Sequence, residues 1–154
     1  MADGINLTTL YTQIEGWQRR SGFFDRVAMH EPKASPGRGL TSSTWLQQVS
    51  PVQRVSGLSV TSARVEVITR IYQNFVAEPQ DRIDPDTYAA ADYLLGQYHS
   101  DFTLGGVVDQ IDLLGAYGNP LGVRAGYLNQ DGDLYRVLDI TCPMILFDVW
   151  TQAP

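Results

Sequence analysis

The residues able to do chemistry are few and scattered. His30 and His99 are the two histidines, and neither has a second histidine one helical turn away to complete a zinc-binding pair. The stretch "NQDGD", Asn129 to Asp133, looks like the start of a calcium loop. The glutamate that such a loop needs at its twelfth position falls on Ile140, so turn chemistry accounts for it. Cys142 is the single cysteine. Followed by proline in an apolar run, it reads as a buried thiol rather than a nucleophile. None of the serines sits in a Gly-x-Ser-x-Gly elbow, the sharp turn that exposes a nucleophilic hydroxyl. "SPGRGLTSS", Ser35 to Ser43, offers glycine, arginine and hydroxyls to a phosphate, but lacks the lysine and the strand-to-helix setting of a phosphate loop. The carboxylates Asp101, Asp109, Asp112, Asp131, Asp133 and Asp139 are numerous, yet no spacing pairs two of them for acid/base work. These residues predict no enzyme, no metal site and no cofactor.

The bulk composition narrows the classes further. A chain of 154 residues, 44% hydrophobic and 18% charged, fits one small domain with a single core. A net charge of −6 argues against gripping nucleic acid through its phosphates, which takes clustered lysine and arginine. One cysteine rules out an internal disulfide and suits a reducing compartment. The first residues lack a basic start and apolar run, and no stretch is long and apolar enough to span a membrane, so the expectation is a soluble protein made without a targeting signal.

The elements that must position these side chains are legible from periodicity. Leu7, Leu10, Tyr11, Ile14 and Trp17 recur at helical spacing behind Asn6, a suitable N-cap, with Arg19 and Arg20 in the last turn and Gly22 as a stop. Phe24 to His30 alternates as a strand. Glu31 to Ser43, with two prolines and two glycines, reads as a long loop, uncommon in so small a domain unless it binds something or moves. "STWLQQV" reads as a short strand ending before Pro51. After Gly57, Ala63, Val65, Val67, Thr69 and Ile71 share a core face. Arg64, Glu66, Arg70 and Tyr72 share the other face, read as solvated. A second helix is capped by Asp84, opens with Pro85, and carries Tyr88, Ala91, Leu94, Leu95 and Tyr98 on its apolar side. "DFTLGGVVDQIDLLG", Asp101 to Gly115, reads as a strand interrupted by aspartates. Strands near Val123 to Leu128 and Leu134 to Cys142 flank Asp131-Gly132, a strong hairpin signal, and "PMILFDVW" adds an edge strand. The sum is an α+β fold: about six strands in a mostly antiparallel or mixed sheet, with about two helices on one face.

The ordered combination carries more than any one motif. "VSPVQRVSGLSVTSARVEVITRIY", "DPDTYAAADYLL", "DFTLGGVVDQIDLLGAYGNPLGVRAGYLNQDGDLYRVLDITCP" and a closing "DVW" resemble the tail terminator proteins of long-tailed bacteriophages, and more narrowly those of phages infecting actinobacteria. The resemblance runs most clearly from about Trp45 to Trp150. It implies a single tail-terminator-like domain over residues 1–154 that forms a homo-oligomeric, six-membered ring on the finished tail tube. There it would stop polymerisation of the major tail tube protein and offer a docking face to the head-to-tail connector. DNA would pass through the lumen without specific binding, and the protein would belong to the head-proximal end of the virion tail after assembly in the host cytoplasm. On that reading Asp109 and Asp112 line the channel or pair across a subunit boundary. Arg38 and Trp45 are proposed ring or tube contacts because arginine and tryptophan are enriched at interface hot spots; the alternative for Trp45 is a core position at a strand start. A head-completion or neck component is the alternative for the whole protein, and a hydrolase using the aspartates a distant third.

Overall fold

The computed structural model describes residues 4–30, 39–74 and 83–153. The elements run α1 (Leu7–Arg20), β1 (Arg26–Ala28), β2 (Leu40–Pro51), a short 3-10 turn at Gln53–Val55, β3 (Val60–Asn74), α2 (Ile83–Ser100), β4 (Gln110–Ile111), β5 (Gly122–Gln130) and β6 (Asp133–Thr151). The strands form one mixed sheet in the order β1-β2-β3-β6-β4, with β5 also on β6. Only β1 and β2 are parallel; the remaining pairs are antiparallel. This is the α+β domain expected, with two helices and six strands.

Register explains why both helices lie on the same side. Val65 stands opposite Met144, Val67 opposite Cys142, Thr69 opposite Ile140 and Ile71 opposite Leu138. Directly opposed residues point to the same face, so the odd positions of β3 and the even positions of β6 make one apolar surface. Leu10, Ile14 and Trp17 of α1 and Ala90, Ala91, Leu94 and Tyr98 of α2 join them in a single buried cluster. The core face read for β3 is buried at every position from Ala63 to Ile71. Asn6 caps α1 through its Oδ1, which accepts from Thr9 N at 3.1 Å. Asp131 and Gly132 turn the β5–β6 hairpin with φ of 53° and 83°, the left-handed pair that a two-residue loop requires.

Several boundaries differ from the sequence reading, each for a physical reason. The loop read as reaching Ser43 is shorter, because β2 begins at Leu40 and carries Thr41, Ser42, Ser43 and Thr44 fully inside. Small hydroxyl residues look like loop chemistry. Here Gln18 of α1 comes down onto the strands, accepting from Ser42 Oγ at 2.7 Å and donating to Thr44 Oγ1 at 2.9 Å, while Thr44 and Thr69 hydroxyls meet at 3.0 Å. Hydrogen-bonded in this way, buried polar groups cost little. β2 also continues through Pro51 instead of ending before it.

The stretch from Asp101 to Gly115 is mostly turn, with only Gln110 and Ile111 as strand. Leu104, Gly105 and Gly106 take φ of 52°, 67° and 90°, left-handed values that no strand accommodates. β6 does not stop at Cys142 to leave a separate edge strand: it runs on to Thr151 as an interior strand between β3 and the β5 and β4 pair. Pro143 is tolerated there because its missing N–H falls where β5 has ended at Thr141 and β4 pairs only from Met144. α2 starts at Ile83, ahead of the expected cap at Asp84, and Pro85 still lies in the first turn, where its absent N–H is harmless.

Candidate functional site

The opposite face of the sheet has no helix on it. Even positions of β3, odd positions of β6 and even positions of β5 point there, and they carry charge. Read as a solvated surface, this face is in fact partly closed: Arg64 and Tyr72 are buried on it. Arg70 donates to both oxygens of Asp139 at 2.6 and 3.0 Å. Its guanidinium also lies over the rings of Trp45 at 5.3 Å and Tyr72 at 5.9 Å. The Asp139 carboxylate holds the Arg70 pKa above the ordinary guanidinium value, against the effect of burial, so the pair is charged at any physiological pH. Arg64 donates to Glu66 Oε2 at 2.9 Å and to Asn119 O at 2.7 Å.

Between these two ion pairs runs a groove of about 570 Å³, lined among others by Trp45, Gln47, Ile68, Arg124 and Thr141. Trp45 is therefore neither a core residue nor an open surface one: it is half-buried on the helix-free face, stacked on Arg70. Arg38 lies outside the described residues.

The segment from Asp112 to Leu121 forms one wall of the groove, and three charged side chains hold it. Asp112 is 3% exposed; its Oδ1 accepts from Ala116 N at 2.7 Å and its Oδ2 from Tyr117 N at 2.9 Å. Arg54, on the 3-10 turn, donates to Ala116 O at 2.6 Å and lies 5.5 Å from the Tyr117 ring. Arg64 holds Asn119, and a side chain at Gly118 would meet its guanidinium at 3.0 Å. Asp112 is thus spent inside its own subunit, organising a turn, and is not presented to a channel. Asp109 is exposed, and its Oδ2 accepts from Phe147 N at 2.6 Å; it ties the approach to β4 onto β6. The two aspartates do not meet each other. Sequence reasoning passed over Arg54, Arg64 and Arg70. Their alternation on β3 was visible, but their partners lie 55 to 69 residues away, and nothing local signals them.

The remaining reactive types are placed as follows. Cys142 is buried on the covered face, and burial pushes its thiol pKa up; a thiol that resists ionisation is a poor nucleophile. Tyr98 beside it is likewise shifted up by burial. His99 is exposed in the last turn of α2, its Nδ1 2.8 Å from Leu95 O. Among the described residues no three His, Cys, Asp or Glu side chains gather as a metal site would need. No helix is long and apolar enough to cross a membrane.

No family model matches the chain, and no curated protein matches it. Among solved structures it is similar to a chain in the virion of a native gene transfer agent (GTA) particle, with 10% identity, a TM-score of 0.39, and 88% of this chain and 93% of that chain covered. A likeness at that level leaves function to the residues themselves.

Proposed function

We propose that this protein is a structural virion subunit, the tail terminator of a long-tailed bacteriophage. In this reading copies close into a ring, hexameric in the resembling family, on the head-proximal end of the tail tube. The ring stops addition of the major tail tube protein and gives the head-to-tail connector its docking face, while DNA passes through the lumen. The observation that carries the reading is the ordered resemblance from about Trp45 to Trp150. That span coincides with β2 through β6, the whole of the antiparallel sheet and α2, so the likeness follows a complete packing unit and not a shared local motif.

The architecture is compatible with such a role. One face is sealed by helices, and the other is rigid, polar and internally paired, which suits a building block more than a catalyst. The helix-free face holds two ion pairs but no base set against a nucleophile, so we assign it no catalysis. A chain of net charge −6 does not retain passing DNA, because attraction to phosphates requires a positive excess.

Electron microscopy of tails from a lysate of phage lacking this gene tests the assignment. Overlong tubes of variable length are expected. Tails of normal length that fail to join heads would replace the terminator with a neck component.

A further inference from the structure

Twelve large apolar side chains are exposed, and two of them stand apart. Leu58 is 100% exposed and Leu114 92%, whereas the other ten lie between 37% and 62%. Single exposed leucines on loose loops need no explanation. These two sit on loops that are anything but loose.

The loop bearing Leu58 is closed by Gly57 N donating to Val60 O at 3.0 Å. Ser56 Oγ donates to Val52 O at 2.6 Å, Ser62 Oγ to Val55 O at 2.8 Å, and Gln152 Nε2 to Gly57 O at 2.9 Å. The loop bearing Leu114 is fixed by the buried carboxylate of Asp112 and by Arg64, as described above. Arg54 joins the two loops into one surface through Ala116 O and the Tyr117 ring. Ordering a loop costs conformational entropy that its own buried contacts normally offset. Here the fixed backbone leaves its apolar side chain in water. A pre-ordered side chain loses little further entropy on binding, which is the condition under which a single leucine contributes strongly to an interface.

We infer that Leu58 and Leu114 are two apolar knobs of one docking surface, which seats on a different protein having apolar sockets; on the terminator reading, that partner is the end of the tail tube. The groove on the helix-free face is lined by arginines, acids and amides and offers a leucine no apolar socket on a second copy. A heterologous partner is therefore the occupant. The inference rests on the terminator reading for the identity of the partner, and assigns Asp112, Arg54 and Arg64 the role of positioning residues for the knobs.

The test is cosedimentation of purified protein with tail tubes isolated from phage lacking this gene, comparing wild type with the Leu58→Asp/Leu114→Asp double variant. Both side chains contact water, so the melting temperature should be unchanged, and circular dichroism checks this. Tube binding by the double variant should weaken by roughly 100-fold or more, the sum expected when two buried leucines are replaced by charge. Self-association, read by sedimentation velocity, should stay at the wild-type level. Wild-type affinity in the folded double variant would overturn the knob assignment while leaving the terminator reading in place. Loss of self-association with tube binding retained would move the knobs to a contact between copies and overturn the choice of partner. Failure of the wild-type protein itself to bind tubes would overturn both.

Discussion

The two faces of one sheet are built from alternate residues of the same strands, yet they solve different problems. On the helix side, β3 and β6 present valine, isoleucine, leucine, cysteine and methionine to α1 and α2, and the polar residues admitted there are hydrogen-bonded around Gln18. On the other side, the same two strands present Arg64, Glu66, Arg70 and Asp139, which pair with one another and with the Asp112–Leu121 segment. The covered face gains stability from area removed from water. The helix-free face gains position: its ion pairs are partly solvent-exposed, so each contributes modestly, but their geometry fixes where a loop and an aromatic ring sit. A face can be well ordered without being a core.

Variants that break this contrast should differ in size accordingly. Leu94→Ala on the covered face removes a fully buried side chain from beneath α2 and should cost about 2–5 kcal/mol in chemical denaturation. A loss under 1 kcal/mol would mean that the helix is loosely seated. Next is the pH response of the same face. Cys142 titrates higher folded than unfolded, so the folded state keeps its proton after the unfolded state has lost it. The stability is complete below the unfolded thiol value of about 8.5 and falls at higher pH, by about 1.4 kcal/mol per unit. Cys142→Ala should flatten the slope of stability between pH 9 and 10; an unaltered slope would place the thiol in contact with solvent.

On the helix-free face the effects should be smaller and coupled. Asp112→Ala strands the N–H groups of Ala116 and Tyr117 and should cost about 1–3 kcal/mol, with faster amide exchange from Gly115 to Asn119 as the direct readout. A protected loop in that variant would show that Arg54 and Arg64 hold it alone. Smaller still, Arg70→Ala and Asp139→Ala should each cost about 1–2 kcal/mol and fall short of additivity in the double variant by about 1 kcal/mol. Full additivity would reduce the pair to two independent surface charges.

How much of this was readable depended on the range of the interactions. The first helix with its Asn6 cap, the β3 core face and the Asp131-Gly132 hairpin were legible because periodicity, capping and turn conformation act within a few residues. Trp45 was singled out by residue type alone, and its place on Arg70 was not visible because Arg70 arrives from the neighbouring strand. The aspartates of the 101–115 stretch were noticed as misplaced in a strand. They are misplaced there because no long strand exists: Leu104 to Gly106 turn the chain, and Asp112 serves a turn of its own.

By itself, then, the chain of residues determined the fold class, the two amphipathic helices, the strand pattern that faces them and the burial of the single cysteine. All of these follow from alternation and hydrophobicity along a local segment. Only the tertiary structure decided that Thr41 to Thr44 belong to a strand beneath Gln18, that β6 passes through Pro143 as an interior strand, and that Arg54, Arg64 and Asp112 fasten a loop so that Leu114 stands in water. Each of those depends on a hydrogen bond or a ladder break supplied by a distant residue, and a partner's position in space is not written in the spacing of the chain that receives it.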